Sequence, residues 1–344
     1  MTAGVPGHRP VDAYDLVIFD LDGVIYLVDR PIETAVTAVR RLCAEGKPLA
    51  YATNNASRRA GEVAALLAGM GIDARPDQVL TSAAAAAEVL AERLPAGSPV
   101  LVVGAEALRV EVGAVGLRPV DRFEDAPVAV VQGYGPRVGW AELAEATLAV
   151  RGGAEWVVTN TDRTLPTVRG PVPGNGSLVA VLRTALDREP DLVIGKPAPG
   201  LFRAAARRTG ATRPLVVGDR LDTDVEGAVR AGMDSLLVLT GVSTPAELLR
   251  APVTARPTYV AEDLAGLLDP SRVVRLPDAA HGRRPDSGWH VSREGETWVL
   301  SGAGSSLEAL GVLCAVSWSG AAPIGSVRPK DTRARLALET LGLW

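Results

Sequence analysis

Short apolar runs typical of β-strands alternate with amphipathic helical stretches from Asp15 to about Leu268. This alternation is typical of βαβ units, in which helices join parallel strands and cover both faces of the sheet. Several helical stretches stop at a glycine, such as Gly46, Gly71 and Gly210, as helices commonly do. The pattern therefore predicts an α/β fold with a Rossmann-like parallel-sheet core.

The strands and helices can be assigned from the spacing of their apolar residues, which repeats about every 2 residues in a strand and about every 3.6 in a helix. The predicted strands are Asp15–Asp20, Pro48–Thr53, Val100–Val103, Val128–Gln132, Trp156–Asn160, Leu192–Ile194, Leu215–Gly218 and Ser235–Leu239. The predicted helices are Ile32–Ala44, Arg58–Met70, Gln78–Leu94, Trp140–Arg151, Ser177–Leu186, Leu201–Thr209 and Asp222–Ala231.

The lengths between these elements predict a domain inserted into the core. From Thr53 to Lys196 the chain runs 143 positions, which is far more than one crossover between parallel strands needs. We predict a core formed by residues 1–82 and 190–270, with an inserted α/β cap domain at 83–189. After about Pro270 the pattern changes to a β-hairpin and two helices, so residues 271–344 are predicted to form a small C-terminal α+β appendage.

Composition excludes several functional classes. With 344 residues, 47% of them apolar and 22% charged, the chain resembles an ordinary globular protein. The net charge of −4 carries no long block of like charge, so no nucleic-acid or membrane partner is expected. Residues 1–14 lack the features of a signal peptide, and Cys43 and Cys314 are too few for a disulfide framework, which favours a cytoplasmic location. Self-association into a homo-oligomer and a redox role for either cysteine stay open.

Two acidic segments follow predicted strands. Asp20 and Asp22 come directly after one apolar run, and Asp219 and Asp224 come after another. Side chains just beyond the carboxyl ends of neighbouring parallel strands converge at one edge of the sheet. Four carboxylates brought together repel one another unless a cation lies among them, and Mg²⁺ is the hard cation that prefers oxygen ligands. The sequence thus predicts a magnesium site that also holds a phosphate.

Lys196 is the third candidate feature. Only Lys47, Lys196 and Lys330 are lysines, and the other 33 of the 36 basic residues are arginines. A lysine after the apolar stretch Leu192–Ile194 therefore suggests a role that arginine cannot fill. A compact ammonium can contact a phosphate oxygen in a tight site where a planar guanidinium does not fit.

These segments occur in the order found in the haloacid dehalogenase superfamily of phosphatases, which the chain resembles over about residues 12–270. The resemblance is carried by Asp20-Leu21-Asp22-Gly23, Thr53-Asn54-Asn55, Lys196 and Gly218-Asp219-Arg220-Leu221-Asp222-Thr223-Asp224. The long insertion, with its stretch Thr159 to Thr167, looks like the cap of the subgroup that contains nitrophenylphosphatases and the phosphatases of phosphoglycolate and glycerol phosphate. Together these motifs are specific for the superfamily, although no single motif is.

The resemblance implies a role for each motif residue. Asp20 would be the nucleophile that forms an aspartyl-phosphate, and Asp22 would be the general acid and base. Mg²⁺ would be held by the Asp20 side chain, the Asp22 backbone carbonyl and Asp219, with Asp224 either a direct ligand or behind a water molecule. In the same scheme, the phosphate oxygens would be contacted by Thr53, the Asn54 amide and Lys196.

The resemblance also implies a small phosphomonoester as substrate, because a cap leaves little room for a large one. Glycerol 3-phosphate and 2-phosphoglycolate are the leading substrate candidates, and pyridoxal phosphate and sugar phosphates are the alternatives. The cap residues Asn160, Asp162 and Arg163 are predicted to meet the leaving group, although a solvated loop would explain them equally well.

Two other functional classes are disfavoured relative to a phosphatase. A nucleotide-binding module is disfavoured because no strand is followed by a G-x-G-x-x-G or a G-x-x-x-x-G-K-[ST] loop. A catalytically weak protein that binds a partner through its C-terminal module is disfavoured by the intact carboxylates. That module resembles a shortened acetyltransferase, but Gly302-Ala303-Gly304-Ser305 does not reproduce the coenzyme A loop, so we expect no acyl transfer and an accessory role.

Overall fold

The computed structural model describes residues 9–28, 30–277, 287–295, 297–319 and 325–344. The chain divides into two compact units, and each is described by itself. The first contains residues 1–49 and 210–344, and the second contains residues 50–209.

The strands are as follows, in chain order: β1 Leu16–Phe19, β2 Tyr26–Leu27, β3 Arg30–Pro31, β4 Leu49–Thr53, β5 Val79–Thr81, β6 Pro99–Val103, β7 Arg118–Val120, β8 Ala129–Gln132, β9 Glu155–Val158, β10 Thr164–Leu165, β11 Val172–Pro173, β12 Leu192–Val193, β13 Pro214–Gly218, β14 Asp234–Val238, β15 Tyr259–Ala261, β16 Val273–Arg275, β17 Trp289–Glu294, β18 Thr297–Gly302 and β19 Val327–Pro329.

The α-helices are as follows: α1 Glu33–Ala44, α2 Ala60–Gly69, α3 Ser82–Arg93, α4 Glu106–Ala114, α5 Trp140–Arg151, α6 Asn175–Leu186, α7 Gly200–Thr209, α8 Glu226–Ala231, α9 Pro245–Leu249, α10 Ser306–Ser319 and α11 Thr332–Thr340. A single turn of π-helix, Leu221–Val225, precedes α8.

The first unit contains a sheet with the strand order β16-β15-β14-β13-β1. Strands β1, β13, β14 and β15 are parallel, and β16 runs antiparallel at the edge. Every residue of β1 and β13 is buried, as expected for parallel strands that are covered on both faces. Because β1 and β13 are neighbours, the residues that follow Phe19 and Gly218 leave the same edge of the sheet.

The C-terminal module, β17 to α11, shares an apolar core with this sheet. Its strands form a small sheet in the order β17-β18-β19. Helix α10 packs against α9, β15 and β16 as well as against β17 and α11. Ten of its fourteen residues are buried, which is typical of a helix surrounded by protein on all sides.

The second unit is built around a parallel sheet with the order β12-β9-β8-β6-β7. Successive residues of one strand point to opposite faces. Accordingly, Ala129 and Val131 of β8 join the apolar cluster formed with α3 and α4, whereas Val130 joins the cluster formed with α5 and α6. The same unit contains the parallel pair β4–β5, with α2 and α7 against β5.

The predicted fold class is confirmed, and one predicted helix is partly wrong. The stretch predicted as helix Gln78–Leu94 begins with strand β5, and helix α3 starts only at Ser82. Residues 79–81 pair with β4, and the Thr81 hydroxyl then caps the helix by accepting from the Ala84 backbone N–H at 3.2 Å. Among the described residues, no helix has the length and apolar character that crossing a bilayer requires.

Candidate active site

Of the four carboxylates that the sequence predicts to lie together, three converge in the first unit. Asp20 follows β1, Asp219 follows β13, and Asp224 lies in the π-helical turn after it. The side chains of Asp20, Asp219 and Asp224 each offer an oxygen within 4.8 Å of the others. Asp219 and Asp224 are only 1% exposed. The parallel pairing of β1 with β13 places these acids together, because both strands end at one edge of the sheet.

The carboxylate of Asp22 lies outside this cluster. Asp22 occupies the turn after Asp20 and is half-buried. A metal ligand from this residue would thus be its backbone carbonyl rather than its side chain, in keeping with the role that the resemblance implies.

Three glycines allow the backbone to approach the carboxylates. A Cβ atom on Gly23, which has a φ of +83°, or on Gly241 would lie 2.4 Å or 2.0 Å from Asp219 Oδ2. A Cβ on Gly218 would lie 2.1 Å from the Cβ of Asp224. Side chains at these positions would displace the acids, so the glycines fix where the carboxylates point.

Backbone N–H groups also hold the acids. Val242 donates its N–H to Asp219 Oδ2 at 2.7 Å, and Arg220 donates to Asp224 Oδ2 at 3.1 Å. These bonds hold both carboxylates in place. The donor set is three buried carboxylates, with no soft ligand among them, and this suits Mg²⁺.

We expect Gly241→Ala to weaken Mg²⁺ binding. The added methyl group would force the Asp219 carboxylate away from the Val242 N–H. Disturbing such an outer contact should raise the Mg²⁺ dissociation constant by at least about 10-fold. Calorimetric titration of the protein with Mg²⁺ measures it. Gly61→Ala is the matched control, because nothing lies within 4 Å of the added atom and alanine suits a helix. Equal Mg²⁺ affinity in both variants would contradict the expectation.

The second unit brings Thr53, Asn54 and Lys196 together, and all three are buried. The Asn54 side-chain amide spans the two loops: its Oδ1 accepts from the Lys196 N–H at 2.8 Å, and its Nδ2 donates to the Lys196 carbonyl at 3.1 Å. The Lys196 ammonium donates to the Ala52 carbonyl at 3.2 Å. Gly195 is required here, since a Cβ would lie 2.5 Å from Asn54 Oδ1.

The side-chain amide of Asn54 is therefore engaged by protein groups. Besides Lys196, its Nδ2 contacts the carboxylate of Asp162 at 3.1 and 3.3 Å. Thr53 Oγ1 accepts from the Asn55 N–H at 3.1 Å, which leaves its own proton available for donation. Of the two amides of Asn54, the backbone N–H is the one suited to donate to a phosphate.

Two of the three predicted specificity residues meet this loop. Asn160 donates to the Asn54 carbonyl at 2.7 Å, and its Oδ1 accepts from the Asp162 N–H at 3.2 Å. The Arg163 side chain is exposed, whereas its carbonyl accepts from Ser177. The structure thus joins Asn160 and Asp162 to Asn54 and leaves Arg163 at the surface.

Sequence reasoning missed two groups of supporting residues. The first is Gly241 to Ser243, which contacts Asp219. Its signal was a glycine shortly beyond strand β14, followed by the helix-start residues Thr244 and Pro245. The second is Ser82, which donates to the Asn54 carbonyl at 2.6 Å. No sequence pattern predicts the contact between Ser82 and Asn54.

The cysteines show no sign of redox pairing. No disulfide joins them, and Cys43 is exposed whereas Cys314 is buried. Burial raises the pKa of the Cys314 thiol well above its ordinary value. A thiol that stays protonated is a poor nucleophile.

Family models match most of the chain. Residues 17–118 match a haloacid dehalogenase-like hydrolase model, and residues 193–267 match a second model of HAD-like hydrolases. Residues 286–343 match a GCN5-related N-acetyltransferase-like domain, in line with the resemblance of the tail.

Known phosphatases match most or nearly all of the chain. D-glycerol 3-phosphate phosphatase of Mycobacterium tuberculosis is 45% identical, over 96% of this chain and 94% of that protein. Acid sugar phosphatase of Staphylococcus aureus is 36% identical, over 73% of this chain and 95% of that protein. The crystal structure of the M. tuberculosis glycerol phosphate phosphatase in complex with magnesium has a TM-score of 0.88 at 42% identity, covering 98% of this chain and 99% of that one.

Proposed function

We propose that the substrate of this protein is glycerol 3-phosphate. The premise is that the chain belongs to the haloacid dehalogenase-like hydrolases and is a Mg²⁺-dependent phosphatase. The near full-length identity with D-glycerol 3-phosphate phosphatase carries this proposal. Phosphatase activity sets aside the alternative of a catalytically weak protein that acts only by binding a partner. A cytoplasmic location is proposed alongside, supported by the presence of only two cysteines in the sequence.

The first step proposed is attack of an Asp20 carboxylate oxygen on phosphorus. The bond between phosphorus and the ester oxygen breaks as the new bond forms, which gives an aspartyl-phosphate. Asp22 gives its proton to the departing alkoxide, so that glycerol leaves as a neutral alcohol. Asp22 suits this role because its half-buried carboxyl group stands apart from the carboxylate cluster.

The second step proposed is hydrolysis of the aspartyl-phosphate. Asp22, now ionised, takes a proton from a water molecule, and the water oxygen attacks phosphorus. The bond to Asp20 breaks, releasing inorganic phosphate and restoring both acids. Two displacements with one acid–base residue account for the two carboxylates of the first motif.

The residues that would hold Mg²⁺ are Asp20, Asp219, Asp224 and the backbone carbonyl of Asp22. When bound, the ion offsets the negative charge that the carboxylates and the phosphate bring together. The Val242 N–H keeps Asp219 oriented, and the Arg220 N–H does the same for Asp224. The two carboxylates are thereby oriented before any ligand arrives.

Phosphate binding is assigned to Thr53, Asn54 and Lys196. Their donors, a hydroxyl, a backbone N–H and an ammonium, suit an anion with several oxygens. The hydrogen bonds of the Asn54 side chain to the Lys196 backbone support the proposal, since they fix the position of the backbone from which the lysine side chain extends. We also propose that the inserted residues 83–189 act as a cap, and that Asn160 and Asp162 orient the substrate through Asn54.

A substrate panel tests the proposal. Phosphate release is measured with both enantiomers of glycerol 3-phosphate, 2-phosphoglycolate, pyridoxal phosphate and a hexose phosphate, at fixed Mg²⁺. We expect the highest kcat/KM for one enantiomer of glycerol 3-phosphate, by at least about 10-fold, a preference that a few substrate contacts can supply. A higher kcat/KM for any other member of the panel would overturn the substrate assignment and leave the phosphatase activity in place.

A further inference from the structure

The segment Gly241 to Ser243 forms one wall of the carboxylate cluster. In addition to the bond from Val242, Ser243 donates its N–H to the Asp219 carbonyl at 3.0 Å. The Ser243 hydroxyl accepts from the Leu221 N–H at 2.9 Å. This segment therefore holds Asp219 by its side chain and its backbone, and also holds the turn that carries Asp224.

The segment runs directly into helix α9. Thr244 caps that helix: its hydroxyl accepts from the Glu247 N–H at 3.3 Å, while the Glu247 carboxylate accepts from the Thr244 N–H at 2.8 Å. This reciprocal capping box ties the end of the segment to the first turn of the helix. The position of α9 consequently sets the position of the Val242 and Ser243 N–H groups.

Helix α9 is too short to be stable alone. It has five residues, whereas isolated helices of fewer than about 12 residues are marginal in water. Its order must come from what it packs against. Leu248 and Leu249 are buried, and they belong to the apolar cluster that contains α10 residues such as Leu310 and Leu313.

The C-terminal module binds the far end of α9 directly. Ser317 Oγ of α10 donates to the Leu249 carbonyl at 2.7 Å, and Trp318 Nε1 donates to the Leu248 carbonyl at 3.2 Å. The Trp318 ring is held in turn by the Arg256 guanidinium, 4.8 Å from its centroid. Two side chains of the tail thus anchor the helix whose other end leads to Asp219.

We propose that the C-terminal module positions Asp219 for Mg²⁺ binding, with Ser317 and Trp318 as positioning residues that act through α9. The proposal rests on the assignment of Asp219 as a metal ligand. It gives the acetyltransferase-like module a structural task within the phosphatase, in place of the accessory role expected from sequence.

The test compares two tryptophan substitutions in the full-length protein. Trp318→Phe keeps an aromatic ring but removes the N–H that reaches α9. Trp289→Phe is the matched control, because Trp289 Nε1 donates to the Ser305 carbonyl at 2.9 Å, inside the module itself. Each change removes one indole hydrogen bond to a backbone carbonyl. Thermal unfolding reports stability, and calorimetric titration with Mg²⁺ alone reports metal affinity.

Trp318→Phe combined with Ser317→Ala should raise the Mg²⁺ dissociation constant by about 3- to 10-fold, less than the roughly 10- to 100-fold typical of losing a direct outer contact. Trp289→Phe should lower the Tm about as much as Trp318→Phe does, but should leave the Mg²⁺ affinity at the wild-type value. Should the double variant not fold, Trp318→Phe alone serves for the same comparison. Wild-type affinity in the Trp318 variants, or an equal loss in Trp289→Phe, would overturn the proposal.

Asp219→Asn separates this proposal from the assignment on which it rests. That change should remove most of the measurable Mg²⁺ binding, because it takes one charge from the ligand set. If Asp219→Asn binds Mg²⁺ as the wild type does, the metal site itself is misassigned. If Asp219→Asn loses the metal while the Trp318 variants keep full affinity, only the role of the C-terminal module is wrong.

Discussion

Asp20→Asn is expected to abolish turnover while the protein stays folded. Asparagine has nearly the same volume but lacks the anionic oxygen that attacks phosphorus, so no aspartyl-phosphate can form. Loss of a nucleophile lowers kcat on the order of 10⁴- to 10⁶-fold in enzymes of this kind of covalent mechanism. Phosphate release by freshly purified protein, checked by mass spectrometry for deamidation, measures the effect.

Asp222→Asn is the control for that substitution. Asp222 lies in the same acidic segment as Asp219, but its carboxylate is exposed and pairs with Arg220 at 2.9 Å. An exposed ion pair of this kind contributes little to stability. The control should keep kcat within about 2-fold of the wild type, as expected for a surface change. Comparable turnover by intact Asp20→Asn and Asp222→Asn would rule out the covalent mechanism.

Lys196→Arg should cause the second largest loss. The side chain is 2% exposed and its ammonium lies 3.2 Å from the Ala52 carbonyl, so a wider guanidinium has no space there. Because Asn54 fixes the Lys196 backbone on both sides, the loop cannot shift to make room. We expect kcat/KM to fall on the order of 10²- to 10³-fold, as for removal of a preorganised charge. Overpacking should also cost about 1–3 kcal/mol of stability.

Lys47→Arg provides the comparison. Lys47 also donates its ammonium to backbone carbonyls, those of Tyr14 at 2.7 Å and Val11 at 3.1 Å, but it precedes β4 and lies at the opposite end of that strand from Thr53. Its replacement should leave kcat/KM unchanged. If Lys196→Arg were as active as Lys47→Arg, the buried lysine would have no special role, and the scarcity of lysine in the chain would be incidental.

The sequence was sufficient to predict the carboxylate cluster because topology alone brings it together. Leu16–Phe19 and Pro214–Gly218 are continuous apolar runs, and parallel strands of that kind deliver the residues that follow them to one edge. Asp20, Asp219 and Asp224 needed no further information to be placed near one another. The same reasoning located Thr53 at the end of β4.

Other features depend on contacts that no local pattern encodes. Strand β5 is three residues long and exists because it pairs with β4, so its sequence was absorbed into the adjacent helix. Two hydrogen bonds join the Asn54 side chain to the Lys196 backbone, 142 positions along the chain. Only the folded chain reveals them. By contrast, the apolar residues all around α10 were visible in the sequence and could have indicated that protein surrounds this helix on all sides.

The covalent role of Asp20 can be tested most directly by trapping. Protein mixed with glycerol 3-phosphate and Mg²⁺ is quenched with borohydride, which reduces an acyl phosphate to an alcohol, and the peptide that contains residue 20 is sequenced by mass spectrometry. Formation of an aspartyl-phosphate predicts homoserine in place of aspartate at residue 20, dependent on substrate. Rapid release of phosphate with every aspartate unmodified, or reduction at a different aspartate, would contradict the assignment of Asp20 as the nucleophile.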